Sequence, residues 1–123
     1  MKLLLDTHAF LWWDCNDAHL PEVLRLAIAS PQNEIFVSAV TVWEIAIKRS
    51  SGKLTFGRRL AKAIADHGFN SLPITIAEAE WAGELPQYHR DPFDRLLVAQ
   101  AQFGGMILVT VDEQILRYQV PHL

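Results

Sequence analysis

The chain has 123 residues, half of them hydrophobic, with a formal net charge of −3 and one cysteine. This size fits one domain over residues 1–123 with its own core, and the lone Cys15 excludes an intrachain disulfide. No apolar run approaches the roughly 18 residues of a membrane span, and Asp6 and His8 interrupt the first apolar run too early for a signal peptide. We therefore expect a single-domain cytoplasmic protein.

Extended and helical patterns alternate along the first half of the chain. A short apolar run at residues 2–6 predicts a strand buried on both faces, and residues 34–38 predict a second strand. Helices are predicted over residues 7–13, 21–30, 41–54 and 57–68. Pro21 suits a first helical position, and Gly52 and Gly68 favour helix termination.

The second half continues the alternation. Strands are predicted over 71–76, 106–110 and 119–123, and helices over 77–85, 92–105 and 112–118. Pro73 indicates that the first of these strands lies at a sheet edge or begins there. Strands that alternate with helices predict a three-layer α/β/α sandwich with a mostly parallel central sheet.

Four acids follow or open these elements. Asp6 ends the first strand, Glu44 lies just past the second, Asp94 opens a helix, and Asp112 follows the strand at 106–110. In an open α/β sheet the carboxyl ends of parallel strands line one crevice, so we expect these side chains to converge.

Converging carboxylates repel each other. At an effective dielectric of about 20, two unit charges 5 Å apart cost roughly 3 kcal/mol, and several such pairs would consume much of a domain's stability. Either some of the acids are protonated or a divalent cation lies among them. Hard cations such as Mg²⁺ prefer oxygen ligands, and the five histidines show no zinc-ligand spacing.

Three of the four acids also have local structural explanations. Thr41 and Glu44 fit a capping box, and Asp91 fits an N-cap that places Asp94 in a first helical turn. Thr110 fits a cap before Asp112. We expect Asp6 to lack such a role, since the residues after it form no strong capping box.

Four blocks carry a resemblance to a known family. They are "LLLDTHAFLWW" (3–13), "SAVTVWEIAIKRSSGKL" (38–54), "DPFDRLLVAQA" (91–101) and "ILVTVDEQI" (107–115). In this order they resemble the PIN-domain nucleases, and most closely the VapC-type toxins of bacterial toxin–antitoxin pairs. The resemblance implies an endoribonuclease that depends on Mg²⁺ or Mn²⁺, a small antitoxin partner and often a toxin homodimer.

The resemblance also assigns roles by position. Asp6, Glu44 and Asp94 match the three invariant acids of that family, and Asp112 matches its more variable fourth acid. These four residues are therefore the expected catalytic and metal-binding residues. The hydroxyls expected beside the metal are those of Thr7, Ser38 and Thr110. The preference for RNA over DNA comes from the resemblance, because the expected phosphodiester chemistry does not use the ribose 2′-hydroxyl.

Basic and aromatic residues supply further candidates. Six of the 11 basic residues fall between residues 48 and 62, a stretch that is either a phosphate-binding surface or a solvated face. The residues expected to contact RNA are Lys48, Arg49, Lys53, His89 and Arg90, of which the last two have a solvated loop as the alternative. Glu44 is also expected to pair with Lys48 one helical turn later.

The four tryptophans divide by position. Trp12 and Trp13 point about 100° apart on a helix, so we expect only one to face the core and the other to line an antitoxin groove, with base stacking as the weaker alternative. Trp43 and Trp81 are expected to be buried or partly buried by packing.

Three alternatives remain open from the residues alone. A receiver-like phosphoacceptor module shares the strand-end acid and threonine, but this chain lacks its paired acids after the first strand and its late lysine. A phosphohydrolase of the haloacid-dehalogenase type expects Asp-x-Asp where this chain has Asp6-Thr7-His8. A binding protein without catalytic activity is the third.

Overall fold

The structure, a computed structural model, describes all residues from 1 to 123. Its centre is a sheet of four parallel strands: β1 (Lys2–Leu5), β2 (Glu34–Ser38), β3 (Asn70–Leu72) and β4 (Ile107–Val109). The strands lie in the order β3-β2-β1-β4, and Leu4 of β1 is in register with Phe36 of β2 and Leu108 of β4. Because all strands are parallel, their carboxyl ends meet at one edge of the sheet.

Six helices cover the sheet. They are α1 (Thr7–Asp14), α2 (Glu22–Ala29), α3 (Ala39–Ser50), α4 (Leu60–Asp66), α5 (Ile76–Glu84) and α6 (Pro92–Gly104). One apolar cluster joins one sheet face to α1, α2 and α4, and a second joins the other face to α5 and α6. The expected three-layer α/β/α architecture is therefore confirmed.

The central strand explains why the sheet is covered on both sides. Leu3 and Leu5 pack with Phe10 in the first cluster, whereas Leu4 packs with Leu97 in the second, and all five side chains are fully buried. Alternate residues of a strand face opposite sides of the sheet, so a run of leucines needs helices on both faces. Each buried leucine stabilises the fold by about 2 kcal/mol.

The end of the chain is less regular than its pattern predicts. The helix expected from Asp112 is a short 3₁₀ turn at Ile115–Arg117, and the expected terminal strand is a single parallel bridge between Leu108 and His122. Pro121 has no N–H to donate, so the ladder cannot extend through it. The expected edge position of the strand near Pro73 is confirmed, because β3 is the outermost strand on its side.

The packing expected for Trp43 and Trp81 is wrong. Trp43 is 60% exposed and Trp81 is 42% exposed. In α3 the inward face carries Glu44 and Ile45, so the preceding residue turns to solvent, since successive helical residues are about 100° apart.

None of the helices is long and apolar enough to cross a membrane.

Candidate metal centre

Asp6 lies at the carboxyl end of β1 and begins α1. Its backbone N–H donates to the Val109 carbonyl oxygen of β4 at 3.0 Å, and its Oδ1 accepts the backbone N–H of Ala9 at 2.8 Å. Asp6 is therefore the N-cap of α1, and the expectation that it lacks a local role is wrong. Its side chain is buried, and this burial raises the pKa of the carboxyl group although the Thr110 hydroxyl acts to lower it.

Glu44 reaches the same edge from the second turn of α3. The predicted capping box at Thr41 is wrong, because β2 ends at Ser38 and the Ser38 hydroxyl caps the helix by accepting the Val40 N–H. Glu44 is 4% exposed, and both of its oxygens have donors. Oε1 accepts the Thr7 hydroxyl at 2.6 Å, and Oε2 accepts Lys48 Nζ at 2.7 Å. The predicted pair of Glu44 with Lys48 is thus confirmed.

Asp94 lies in the first turn of α6. As predicted, Asp91 is the N-cap of this helix, and its Oδ1 accepts the N–H groups of Phe93 at 2.8 Å and Asp94 at 3.1 Å. The Asp94 side chain is 16% exposed, and its Oδ2 lies 2.9 Å from His89 Nε2. Burial raises the pKa of Asp94 to about 7, and the charge of Asp91 adds to that rise.

Asp112 completes the group from the loop after β4. Its Oδ2 lies 3.3 Å from His89 Nε2, and its N–H donates to the Thr110 hydroxyl at 3.0 Å. The ligand atoms of His89, Asp94 and Asp112 all lie within 4.8 Å of one another. The short turn that follows the strand therefore aims Asp112 back at α6.

Electrostatic coupling shows that the four acids converge. The charges of Asp6 and Glu44 raise the pKa of Asp94, and the charge of Asp112 raises the pKa of Asp6. The same charges stabilise the protonated form of Lys48, since its hydrogen bond to Glu44 foremost, and then the charges of Glu44, Asp91 and Asp94, raise the pKa of its amine. The three strand ends and the start of α6 thus place the acids at one edge of the sheet, as the parallel pattern predicts.

The donor set fits a hard divalent cation. Asp94 and Asp112 offer carboxylate oxygens that lie, together with a ring nitrogen of His89, within 4.8 Å of one another. Asp6 and Glu44 lie outside this group, but their charges raise the pKa of Asp94. Lys48 and His89 offset only part of that charge, because Asp94 still holds its proton up to about pH 7. A cation among Asp6, Glu44 and Asp94 would remove the repulsion that raises the pKa of Asp94.

The predicted hydroxyls do not all reach the acids. Thr7 donates to Glu44, and the Thr110 hydroxyl lies against Asp6 and Asp112. Ser38 is turned away, since its hydroxyl caps α3 and donates to Gln100 Oε1. Thr7 and Thr110 therefore contact the acids, and Ser38 does not.

The basic candidates divide in the same way. Lys48 and His89 are in the site, but Arg49 donates to the carbonyl oxygen of Arg58 at 3.1 Å and so braces a loop. Lys53 and Arg90 are exposed.

Trp12 and Trp13 are both half-buried against the same apolar cluster, so the expectation that only one faces the core is wrong. Trp12 stacks on His19 with ring centroids 5.9 Å apart, and Trp13 meets His67 edge-on at 6.5 Å. Each indole keeps one accessible part. Trp12 and Trp13 are therefore only partly buried, and their accessible parts form a partly apolar surface on α1.

Sequence reasoning missed how His89 is fixed in the site. The Arg95 guanidinium, buried beneath the loop, donates to the carbonyl oxygens of Pro86 and His89 at 3.1 and 3.4 Å. The Tyr118 hydroxyl accepts the His89 N–H at 3.1 Å and donates to the Pro86 carbonyl oxygen at 2.6 Å. Arg95, directly after Asp94 in a predicted helix, could have indicated this anchoring. A buried guanidinium needs several carbonyl partners, and a nearby loop can supply them.

Comparison with known proteins identifies the class to which this fold and site belong. The family model of the PIN domain matches residues 3–121, so the chain belongs to the PIN-domain family. The chain is 30% identical over 127 aligned positions to ribonuclease VapC22 of Mycobacterium tuberculosis, an alignment that covers 97% of this chain and 93% of that protein. The resemblance inferred from the four blocks is confirmed, and the receiver and haloacid-dehalogenase alternatives are set aside.

Solved structures share the fold over nearly the whole chain. The chain in the DNA-bound VapBC2 complex of Rickettsia felis superimposes with a TM-score of 0.71 at 16% identity, covering 100% of this chain and 98% of that one. FitAcB of Neisseria gonorrhoeae gives 0.68 at 20% identity, with 98% and 96% covered. The DNA-bound VapBC of Salmonella typhimurium gives 0.67 at 18% identity, with 100% and 97% covered. The predicted PIN-like fold is confirmed.

Proposed function

We propose that the chain is a metal-dependent endoribonuclease that acts as the toxin of a toxin–antitoxin pair, with Mg²⁺ as its ion and Mn²⁺ as the alternative. The observation that carries the proposal is the group of His89, Asp94 and Asp112, whose ligand atoms lie within 4.8 Å of one another. Burial, together with the charges of Asp91, Asp6 and Glu44, raises the pKa of Asp94 to about 7, so a bound cation would relieve this repulsion. Perturbed acids that converge in one place are typical of a functional site.

The four acids have two different proposed roles. Asp6, Glu44 and Asp94 would hold the ion, and Asp112, which is the more exposed acid, would orient water toward the phosphodiester. When bound, the cation lowers the pKa of a coordinated water and stabilises the negative charge that develops on the phosphate. The N-termini of α1 and α6 lower the cost of gathering the carboxylates, because each helix dipole is positive at that end.

Neighbouring side chains keep the acids in position. The Thr7 hydroxyl fixes Oε1 of Glu44, and Lys48 neutralises Oε2, so the carboxylate has one orientation. His89 links Asp94 to Asp112 across the loop that Tyr118 supports. These contacts preorganise oxygen ligands, and preorganised charges cost no reorganisation during the reaction.

RNA is the proposed substrate because the relative of 30% identity is a ribonuclease. The basic residues clustered after Glu44 supply positive charge that suits a phosphate backbone on an otherwise acidic protein. A cytoplasmic setting accords with a cellular RNA substrate and with Cys15, which has no intrachain partner.

A small antitoxin and a second copy of the chain are the proposed partners. Several structural neighbours are named VapBC or FitAB complexes, which are two-component assemblies. The half-buried Trp12 and Trp13 on α1 offer a partly apolar surface for the antitoxin, since an amphipathic helix binds by laying apolar side chains in such a groove.

A cleavage assay with a matched control tests the proposal. In Mg²⁺, Asp94→Asn should lower RNA cleavage by about 100-fold or more, and a chelator should abolish cleavage by the wild type. Glu113→Gln removes the same charge from an exposed acid beside Asp112, and it should cleave like the wild type. Full cleavage by Asp94→Asn, or by the wild type with chelator, contradicts the proposal.

A further inference from the structure

Trp43 and Phe93 form an aromatic pair between α3 and α6 that the chemistry above does not use. Their ring centroids are 5.3 Å apart and their planes meet at 71°, an edge-to-face contact. Trp43 directly precedes Glu44, and Phe93 directly precedes Asp94. The pair therefore spans the junction of α3 and α6 where two of the four acids enter the site.

Burial does not explain this tryptophan. Trp43 is 60% exposed, whereas Phe93 is half-buried against the second apolar cluster. The edge contact restrains the indole on one side, and 60% of the side chain stays accessible to solvent. A large aromatic ring that is fixed in place and open on one side is suited to stacking.

A second aromatic pair elsewhere gives a reference. Trp81 of α5 meets Phe103 of α6 edge-on with centroids 6.4 Å apart, and these side chains are 42% and 54% exposed. The Trp81 indole N–H donates to Gln102 Oε1 at 2.7 Å. Neither ring of this pair is next to a site acid in sequence. The two pairs therefore have the same residue types and contact geometry, but only the pair of Trp43 and Phe93 adjoins the acids.

We propose that Trp43, backed by Phe93, is a stacking subsite for the unpaired nucleobase that flanks the phosphate to be cut. The inference rests on the proposed function, because a cation held by the acids would bind the phosphate to be cut and bring its neighbouring base toward the α3–α6 junction that carries Trp43 and Phe93. Every base has a π face, so such a subsite adds affinity with little sequence preference.

A second copy of the chain is the competing occupant of this surface. The exposed stripe of α3 consists of Ala39, Trp43, Ile47 and Ser50, only three of which are apolar. A stable interface buries about 800 Å² on each partner, which is more than one ring and two small-to-medium side chains supply. The place of the ring beside two site acids favours the nucleobase.

Steady-state cleavage of a single-stranded RNA oligonucleotide that the wild type cuts at one mapped bond tests the subsite. Trp43→Ala should lower kcat/KM about tenfold, and Trp43→Phe should stay within about threefold of the wild type, since it keeps a stacking ring. Trp81→Ala should match the wild type. Both indoles are exposed, so circular dichroism should show the same fold for every variant. A Trp43→Ala protein with wild-type kcat/KM overturns the inference.

An abasic nucleotide placed on either side of the cut isolates the stacking. At the position that stacks on Trp43, it should lower kcat/KM of the wild type about tenfold and leave that of Trp43→Ala unchanged, because both changes remove the same contact. Equal losses in both proteins at both positions overturn the subsite.

Two further measurements distinguish the stacking subsite from a contact between two copies of the chain and from the nuclease proposal. Light scattering that shows a dimer in the wild type and a monomer in Trp43→Ala assigns the ring to a contact between copies and overturns the inference. Binding of the oligonucleotide that weakens about tenfold in Trp43→Ala, without any cleavage by the wild type, supports the subsite and contradicts the nuclease proposal. A wild type that neither binds nor cleaves RNA overturns both.

Discussion

Asp6 and Asp14 lie at opposite ends of α1, and the side chains of both are largely withdrawn from water. Asp14 meets a guanidinium and an imidazole, because its Oδ1 lies 2.7 Å from Arg58 Nη2 and 2.7 Å from His67 Nε2. Asp6 has no ion pair: it meets a backbone N–H and a hydroxyl, and among nearby charges that of His8 lowers its pKa while that of Asp112 raises it. Burial is therefore common to the two ends, and charge compensation is what differs.

This difference indicates that the carboxylate of Asp14 stabilises the fold, whereas the carboxylate of Asp6 is available to bind a cation. Breaking a compensated pair leaves a buried charge without a partner, which is destabilising. Removing a charge from a crowded group relieves repulsion instead. A change of Asp to Asn should therefore lower the unfolding free energy at Asp14. In the acidic site, at Asp6 or at Asp94, the same change should raise it.

The largest effect should appear when the metal-free protein is titrated. Asp94 has a pKa of about 7 in the folded chain against an ordinary value of 3.8. Because the folded state holds this proton more tightly, its contribution to stability is complete below the ordinary value and is lost as the pH rises through about 7. From pH 5 to pH 8, urea denaturation with chelator should show a loss of about 2–3 kcal/mol in unfolding free energy.

Two controls sharpen this prediction. Asp94→Asn cannot ionise, so the part of the pH dependence that Asp94 contributes should be missing from this variant, while Asp6, whose raised pKa acts with the same sign, keeps its own contribution. Mg²⁺ at pH 8 should restore the lost stability, since an ion that binds only the folded state stabilises it. A pH dependence that is unchanged in Asp94→Asn would show that Asp94 does not have a raised pKa in the folded protein.

Asp14→Asn tests the opposite end of the comparison. The variant keeps its shape and loses the charge that meets Arg58 and His67, so the unfolding free energy should fall by about 2 kcal/mol. RNA cleavage at a temperature well below the transition should remain at the wild-type level, because Asp14 is remote from the acidic site. Thermal denaturation and the cleavage assay on one preparation give both numbers. Loss of cleavage in a folded Asp14→Asn protein would make this end of α1 part of the site.

The convergence of the acids was predictable from the sequence because it depends on few facts. Apolar runs such as residues 2–6 specify parallel strands, and parallel strands put their carboxyl ends at one edge. Asp6 follows such a run directly and Asp112 lies two residues after one, so their placement needed no knowledge of packing.

The residues that the sequence misplaced depend on exact register and on distant contacts. The cap of α3 moved from Thr41 to Ser38 because the helix begins where β2 ends, and no local pattern distinguishes two hydroxyls three residues apart. The exposure of Trp43 follows from which stripe of α3 turns inward. His89 depends on Tyr118, which is 29 residues away in sequence.

The smallest expected effect concerns Thr7, which begins α1 at its site end and donates to Glu44 at 2.6 Å. Thr7→Val keeps the shape and removes the hydroxyl, so Oε1 of Glu44 loses a donor while Lys48 still holds Oε2. The unfolding free energy should fall by about 1 kcal/mol, and cleavage should fall by about fivefold as the carboxylate loses one of its two restraints. Thr7→Ser retains the donor and should stay close to the wild type in both assays. A Thr7→Val protein as stable and active as Thr7→Ser would mean that Lys48 alone orients Glu44, and the difference between the two ends of α1 would then rest on Asp6 and Asp14 only.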